Sequence, residues 1–591
     1  MTTAPHRHSV LFLSATSIVL AAITTVVAWA LVQLIALITN IAFYERFTFT
    51  PSSPAANHLG IAVVIVPVIG GVIIGFMARY GSKAIRGHGI PEAMEQILLN
   101  RSRIPARITL LKPVSAAISI GTGGPFGAEG PIIATGGALG SLLGQIFSVT
   151  ASERKTLLAA GAAAGMAAIF GSPIAAVLLA VELLLFEFSA RSVVPVALAC
   201  ATASAVRLWF FSPEPIFAMP AVAVPGPQAL FLFLLLGACV GAAAAFVSRA
   251  VYWVEDQFER LPIHWMWWPA IGAVGVGLIG YIAPRTLGVG YNNIEEIVAT
   301  TLPIQIVAWL CFMKLISWLI ALGSGTSGGT LAPLLTIGSG LGAVLAVGAN
   351  HVLPGLDLPV GLAALVGMTA MFAGASRALL ASIVFAFETT MQPHALPALL
   401  AGATAAFLVS HLIARHSIMT ERIARRGVSV PHHYTPDPLE HIRVADVMAS
   451  DYQTIPATMT VEELVEGIAL NDPQVARRQA SLILDAAGHL TGIITRGDVV
   501  RAADSGRHDL TVREAGSGEL VVAHPEETLR EAFVKMLHHK IGRLPVVDRK
   551  DMRVAIGYIG RAEILCGQAL DVREPGWIER TFPQTASVGN S

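Results

Sequence analysis

Charged residues are scarce in this chain. Asp, Glu, Lys and Arg make up 13% of its 591 residues, about half of the roughly 25% usual in soluble domains. The shortage is uneven. Residues 9 to about 425 form a succession of long apolar stretches, whereas 440–591 has the composition of ordinary soluble protein. An aqueous fold is therefore excluded for the larger part. Cysteine is also sparse. Cys200, Cys239 and Cys311 lie in apolar segments and Cys566 in the polar tail, none at metal-ligand or disulfide spacing. No basic tract points to nucleic acid, and the formal net charge of zero averages two different environments. The apolar part also lacks a metal-ligand cluster, a nucleophile–base set and a phosphate-binding loop, so an enzyme is not expected. His432–His433 and His538–His539 stand in the tail without carboxylates at ligand spacing.

What is abundant is apolar sequence and glycine: 54% hydrophobic residues and 55 glycines, with a mean hydropathy of +0.66. The pattern is that of a polytopic membrane domain over 1–430, a linker over 431–441, two soluble units over 442–506 and 507–572, and a tail, 573–591, expected to be disordered. The first apolar run, Val10 to Phe43, is too long for a signal-peptide core and reads as a retained membrane helix.

The membrane part repeats itself. "GHG" at Gly87–Gly89 returns as "GVG" at Gly288–Gly290, "GGALG" from Gly136 as "GSGLG" from Gly338, and "GMAAIF" from Gly165 as "GMTAMF" from Gly367. "AVE", ending at Glu182, has a counterpart in "AFE", ending at Glu388. Four matches in one order at nearly one interval imply two homologous halves, about 10–210 and 225–425. Such repeats are typical of transporters, whose Gly- and Pro-interrupted apolar segments meet near the midplane. Runs such as 132–146 and 331–349 look short for a full crossing. Whether the repeats are parallel or inverted is not decided by the repeats themselves.

One carboxylate stands apart. Glu129, in "GTGGPFGAEGPIIATGG", is the only Asp, Glu, Lys or Arg between Lys112 and Glu153. The matching stretch of the second half, between Lys314 and Asp357, has none. Glycine-rich helix starts present free N–H groups and the positive end of the helix dipole, a setting that attracts an anion. An ionisable residue buried in a membrane is costly and marks function by default.

"GHGIPEA" (87–93), "GAEGP" (127–131) and "GGTLAP" (328–333) resemble, in order and spacing, the three signature segments of the CLC chloride channels and proton-coupled chloride antiporters. The resemblance implies an all-α polytopic fold of two inverted-topology repeats with broken helices, assembled as a homodimer with one pore per subunit. It implies that the anion is held by His88, Gly89 and Ile90, by Gly127, Ala128 and Gly130, and by Thr330 and Leu331, largely through backbone N–H groups. Partial charges bind chloride weakly enough to release it. Glu129 falls on the family's gating glutamate, a tethered anion that occupies the anion's place until it is protonated or displaced.

Several residues depart from the family pattern. His88 stands where a serine hydroxyl usually meets the anion; imidazole donates one hydrogen bond when neutral and becomes cationic near pH 6–7. Ala128 replaces a basic residue and Leu331 a phenylalanine. The family's late tyrosine has no match in "ARHSIMTERIARRG", where Arg415 or His416 lies nearest its place. Glu182 matches a structural acid, and Leu183 falls where antiporters carry an inner proton-transfer glutamate; Glu187, one turn on, is the candidate substitute.

The soluble tail resembles a tandem CBS pair, an α/β module that commonly binds adenine nucleotides such as ATP, ADP or AMP. A ribose-binding pattern is met by "GIITRGD", giving Thr495 and Asp498, whereas the second copy reads "GYIGRAE", with Gly560 and Glu563. The expected function is gated chloride conduction, with proton-coupled antiport as the alternative. The expected setting is a bacterial plasma membrane with the CBS pair in the cytoplasm, and no cofactor is expected to be required. A cation-coupled transporter of another inverted-repeat fold would call for further carboxylates near Glu129, and the sequence has none there.

Overall fold

The computed structural model describes residues 9–147, 149–352, 357–428, 439, 442–472, 479–505, 507 and 509–570. Most of the linker expected at 431–441, and all of the tail at 573–591, lie outside the described residues. The chain divides into two compact units at residues 435–436.

In the first unit, long apolar runs become helices because a membrane supplies no partner for free backbone N–H and C=O groups. The first half contributes α1 (Val10–Tyr44), α2 (Ile65–Phe76), α3 (Ile90–Leu99), α4 (Ile108–Gly121), α5 (Glu129–Ile146), α6 (Ala151–Phe170), α7 (Pro173–Leu179) and α8 (Ala190–Arg207). The second contributes α9 (Pro227–Glu259), α10 (Trp268–Ile282), α11 (Tyr291–Val298), α12 (Ile304–Gly323), α13 (Leu331–Val352), α14 (Val360–Ser376), α15 (Leu379–Thr390) and α16 (Leu396–Ile413). The order and relative lengths match, and a short helix, α17 (Glu421–Arg425), follows.

Among the described residues, seven helical segments are long and apolar enough to cross a membrane. Others, including α4, α7, α14 and α15, are short apolar helices. The stretch expected to be short at 331–349 belongs to α13, which at 22 residues is long enough to span. Leu11, Phe231, Phe246 and Leu412 are exposed on α1, α9 and α16, as suits a lipid-facing surface.

Two-fold pairing of the halves is written in their contacts. A Cβ at Gly136 would stand 2.1 Å from the Gly161 carbonyl oxygen, and one at Gly367 2.4 Å from that of Gly338; only glycine lets α5 meet α6, and α13 meet α14, so closely. Lys112 and Lys314 are 1% and 0% exposed. The Lys112 ammonium donates to the carbonyls of Ile85 and Gly87 at 2.8 and 3.0 Å. The Lys314 ammonium donates to those of Thr286 and Gly288, both at 2.9 Å. Each lysine thus ties down the glycine turn that opens its half's third helix.

The two repeat-related glutamates are exchanged between the halves. Glu182 accepts from the Leu380 and Ala381 N–H groups at the start of α15, both at 3.0 Å. Glu388 accepts from the Ile174 and Ala175 N–H groups at the start of α7, at 3.0 and 2.8 Å. Each carboxylate satisfies orphan donors and the helix dipole of the other half.

Among the described residues, the second unit holds two small sheets. Strands β1 (Thr454–Pro456), β2 (Ala480–Leu484) and β3 (Leu490–Thr495) run in the order β1-β2-β3, parallel and then antiparallel. Strands β4 (Arg543–Val547) and β5 (Ala555–Gly560) pair antiparallel. The segments leading into each repeat are exchanged. Ala449 and Tyr558 trade backbone hydrogen bonds at 2.9 and 3.1 Å, as do Ser517 and Ile493 at 2.9 and 3.1 Å.

Candidate functional site

The three glycine signatures come together through their own backbones. The Gly87 N–H donates to the Thr326 carbonyl at 3.2 Å, and the Gly328 N–H to the Gly87 carbonyl at 3.4 Å. Gly127 and Gly329 exchange N–H···O bonds at 3.3 and 3.0 Å. A Cβ at Gly130 would lie 2.1 Å from the His88 carbonyl oxygen, and one at Gly89, where φ is +101°, 2.1 Å from that of Gly130. Side chains at either position would drive these segments apart. The starts of α3, α5 and α13 are gathered by these contacts.

Glu129 opens α5 and is fully buried. One carboxylate oxygen accepts from the Ala332 N–H in the first turn of α13. The other accepts from the Tyr291 hydroxyl at 2.9 Å. Tyr291 opens α11, so this first-half carboxylate, besides its own backbone N–H, is held by donors of the second half. Lys314, already bonded to two carbonyls, is the nearby positive charge.

The sequence-predicted donors are not all free. The Gly127 N–H is spent on the Gly329 carbonyl, and the Gly89 N–H donates to Glu92 Oε2 at 2.6 Å. Glu92 also receives Arg422 Nη1 at 2.9 Å, so it closes the start of α3 rather than leaving all its N–H groups to an anion. Ile90, Ala128, Thr330 and Leu331 are buried beside Glu129's loop or at the start of α13; it is Ala332, one residue past the predicted pair, that reaches the carboxylate. His88 is 6% exposed, and its Nδ1 has no hydrogen-bond partner among the described residues. A buried polar atom without a partner is rare.

Arg415 and His416 line a separate recess of about 450 Å³ with Arg249, Asp256 and Glu421. Leu183 is buried, and Glu187 forms an ion pair with Lys155 at 3.0 Å. Tyr291 was missed by sequence reasoning. Its signal lay in the repeat, where it follows "GVG" as Ile90 follows "GHG".

In the second unit, Thr495 and Asp498 form a helix cap. The Thr495 N–H and hydroxyl donate to Asp498 Oδ2 at 2.8 and 2.6 Å, and the Asp498 N–H returns to the hydroxyl at 3.3 Å. The same reciprocal cap occurs at Thr460–Glu463, Thr511–Glu514 and Thr528–Glu531. These hydrogen bonds, strongest to the ionised form, hold the exposed Glu514 carboxyl below its ordinary pKa. Gly560 and Glu563 keep the backbone half of that arrangement at 2.9 Å.

Helix starts gathered around a buried carboxylate, within two-fold-related apolar halves, define an anion-transporting membrane protein. The family model described as "Voltage gated chloride channel" matches residues 70–411, and the CBS domain matches 444–505 and 512–567. The chain belongs to the voltage-gated chloride channel (CLC) family of anion transporters, with a tandem CBS pair.

It is 31% identical over 350 residues to the H(+)/Cl(-) exchange transporter ClcA of Vibrio campbellii, covering 57% of this chain and 74% of that one. It is 26% identical over 568 residues to the chloride channel protein CLC-f of Arabidopsis thaliana, covering 83% and 71%. The solved structure of a slow cyanobacterial Cl-/H+ antiporter superposes with a TM-score of 0.64 at 23% identity, covering 71% of this chain and 99% of that one. The fold is that of inverted-topology repeats with broken helices, joined to an α/β CBS pair.

Proposed function

We propose that the protein is a gated chloride conductor in which Glu129 is the gate. The observation that carries this reading is the buried Glu129 carboxylate seated between the Ala332 N–H and the Tyr291 hydroxyl. A carboxylate held by donors from another element occupies a place built for an anion, and its protonation or displacement opens that place. Backbone N–H groups of Ile90, Gly130, Thr330 and Leu331 would line the route, with the Ala128 N–H bonded to the Tyr291 hydroxyl.

Passive conduction is supported by the inner side. Leu183 carries no proton, and Glu187, the candidate substitute, is engaged in an ion pair with Lys155. The second reading, proton-coupled chloride exchange, is favoured by the name of the Vibrio relative. Crossed chloride and pH gradients in proteoliposomes separate the two. Conduction predicts that a chloride gradient moves no protons uphill; uphill movement abolished by Glu129→Gln would make the protein an exchanger.

His88 is proposed as the selectivity residue, its buried Nδ1 having no hydrogen-bond partner among the described residues. Glu92, Arg422 and Lys112 are the charged groups around it. His88→Ser should change the chloride-to-nitrate permeability ratio several-fold in bi-ionic potential measurements. An unchanged ratio would place His88 outside the path.

The protein is further proposed to be a homodimer in a bacterial plasma membrane. The basic run of Arg422, Arg425 and Arg426 before the CBS pair supports a cytoplasmic side for that pair. An adenine nucleotide at Thr495 and Asp498 would have to share a carboxylate already used as a cap. Asp498→Ala removes the acceptor of two Thr495 hydrogen bonds and should cost the CBS pair about 1–2 kcal/mol. If the nucleotide binds there, AMP or ATP will raise the thermal transition of the wild type but not that of the variant. Equal shifts in both would exclude Asp498 as a ligand.

A further inference from the structure

Tyrosine has one O–H, and where that proton is spent decides what the side chain can hold. Tyr252 is buried, and its hydroxyl donates to the Ile418 carbonyl at 2.7 Å. That acceptor is neutral backbone inside a packed turn, so Tyr252 has no donor left for an anion. Tyr291 spends its proton on an anion, the Glu129 carboxylate, at 2.9 Å.

The Tyr291 ring is fixed independently of that bond. It packs edge-on against Phe170 and Phe217, with ring centroids 5.7 and 6.3 Å away, and Phe170 in turn meets Phe385 at 4.8 Å. Gly290 before it is left-handed, at φ +77°, and the Lys314 ammonium holds the Gly288 carbonyl two residues earlier. The hydroxyl therefore stays in place when the Glu129 side chain leaves. Departure of the carboxylate strands two donors, the Tyr291 O–H and the Ala332 N–H, and a buried donor without an acceptor is expensive. An arriving anion relieves both.

We propose that Tyr291 supplies the hydroxyl of the anion path in this chain, donating to the Glu129 carboxylate while the gate is shut and to the transported halide when it is open. This rests on the reading of Glu129 as the gate. The groups facing the Glu129 carboxylate are its own backbone N–H, the Ala332 N–H, the Tyr291 hydroxyl and the Lys314 ammonium, and of the two side chains only Tyr291 can be altered without disturbing a bonded turn.

The test compares wild type, Glu129→Gln, Tyr291→Phe and the double variant, full-length and reconstituted. Phenylalanine keeps the ring contacts and removes the hydroxyl, which donates to Glu129 and accepts from the Ala128 N–H. Tyr291→Phe should speed chloride efflux at pH 7.5 several-fold, because the ionised gate is held by one donor fewer. In the Glu129→Gln background it should weaken chloride binding, measured by titration calorimetry, about 3- to 10-fold. Incorporation of 3-fluorotyrosine at position 291, a stronger donor of nearly the same shape, should tighten chloride binding and keeps the test open if the phenylalanine variant folds poorly. Chloride affinity indifferent to both changes, with Glu129→Gln still altering efflux, would overturn the role of Tyr291 and leave the gate standing. No effect of Glu129→Gln itself would remove the gate and the proposal together.

Discussion

Glu129→Gln should raise chloride efflux from proteoliposomes at pH 7.5 by roughly ten- to a hundred-fold and flatten its pH dependence. The glutamine oxygen can still accept from the Ala332 N–H, but its amide nitrogen has no lone pair for the Tyr291 hydroxyl. A hydrogen bond to a charged group is worth about 1.5–3 kcal/mol, so losing that bond and the charge makes the shut position roughly one to two orders of magnitude less populated. In the wild type, efflux should climb as pH falls, because protonation removes the charge that competes with chloride. The variant carries no such charge at any pH. Matching rates and matching pH profiles for the two proteins would take Glu129 out of the mechanism.

Lys314→Met should be the most damaging single change away from Glu129 itself. The ammonium is fully buried and donates to the carbonyls of Thr286 and Gly288. Methionine fills similar volume but leaves both acceptors unpaired, at about 1–3 kcal/mol each. The turn they belong to carries Tyr291, so the loss should appear twice: as a thermal transition lowered by several degrees, and as faster efflux because the gate's hydroxyl is no longer aimed. Thermal scanning of purified protein with parallel flux assays checks both. A variant with wild-type stability and flux would show that the turn holds itself. Lys112→Met, the repeat-related change, should lower stability similarly without acting on Tyr291.

The sequence made some of this legible and hid the rest for identifiable reasons. Glu129 was conspicuous because nothing else ionisable stands near it in sequence, and burial among helix starts follows from the glycines around it. The halves were visible because small residues that mediate close helix contacts, such as Gly136 and Gly338, are hard to replace. Tyr291 was invisible because an aromatic residue at a helix start looks like core, and its partner lies 162 positions away. Lys112 and Lys314 appeared only as the edges of charge-poor stretches, since their acceptors are carbonyls and leave no mark in the residue pattern. Gly89 and Gly127 were expected as anion donors, yet their N–H groups serve the loops themselves. Thr495 and Asp498 illustrate a different failure. A threonine three residues before an acid reads equally as a ribose clamp or a capping box, and four such caps in one module show how common the second use is here.

The exchange of Glu182 and Glu388 between halves bears on how the protein is made. While the first half emerges from the ribosome, Glu182 is a carboxylate without its donors and the start of α7 lacks its acceptor. Both wait about 200 residues for α15 and Glu388. During that interval the half-built protein carries a carboxylate and a helix end that have not yet met their partners. Insertion and folding are thereby separated in time: the first half can enter the membrane on hydropathy alone, but it can settle only once the second has been threaded beside it. Damage to either glutamate should therefore show up in the cell as protein removed by quality control before it is ever assayed for transport.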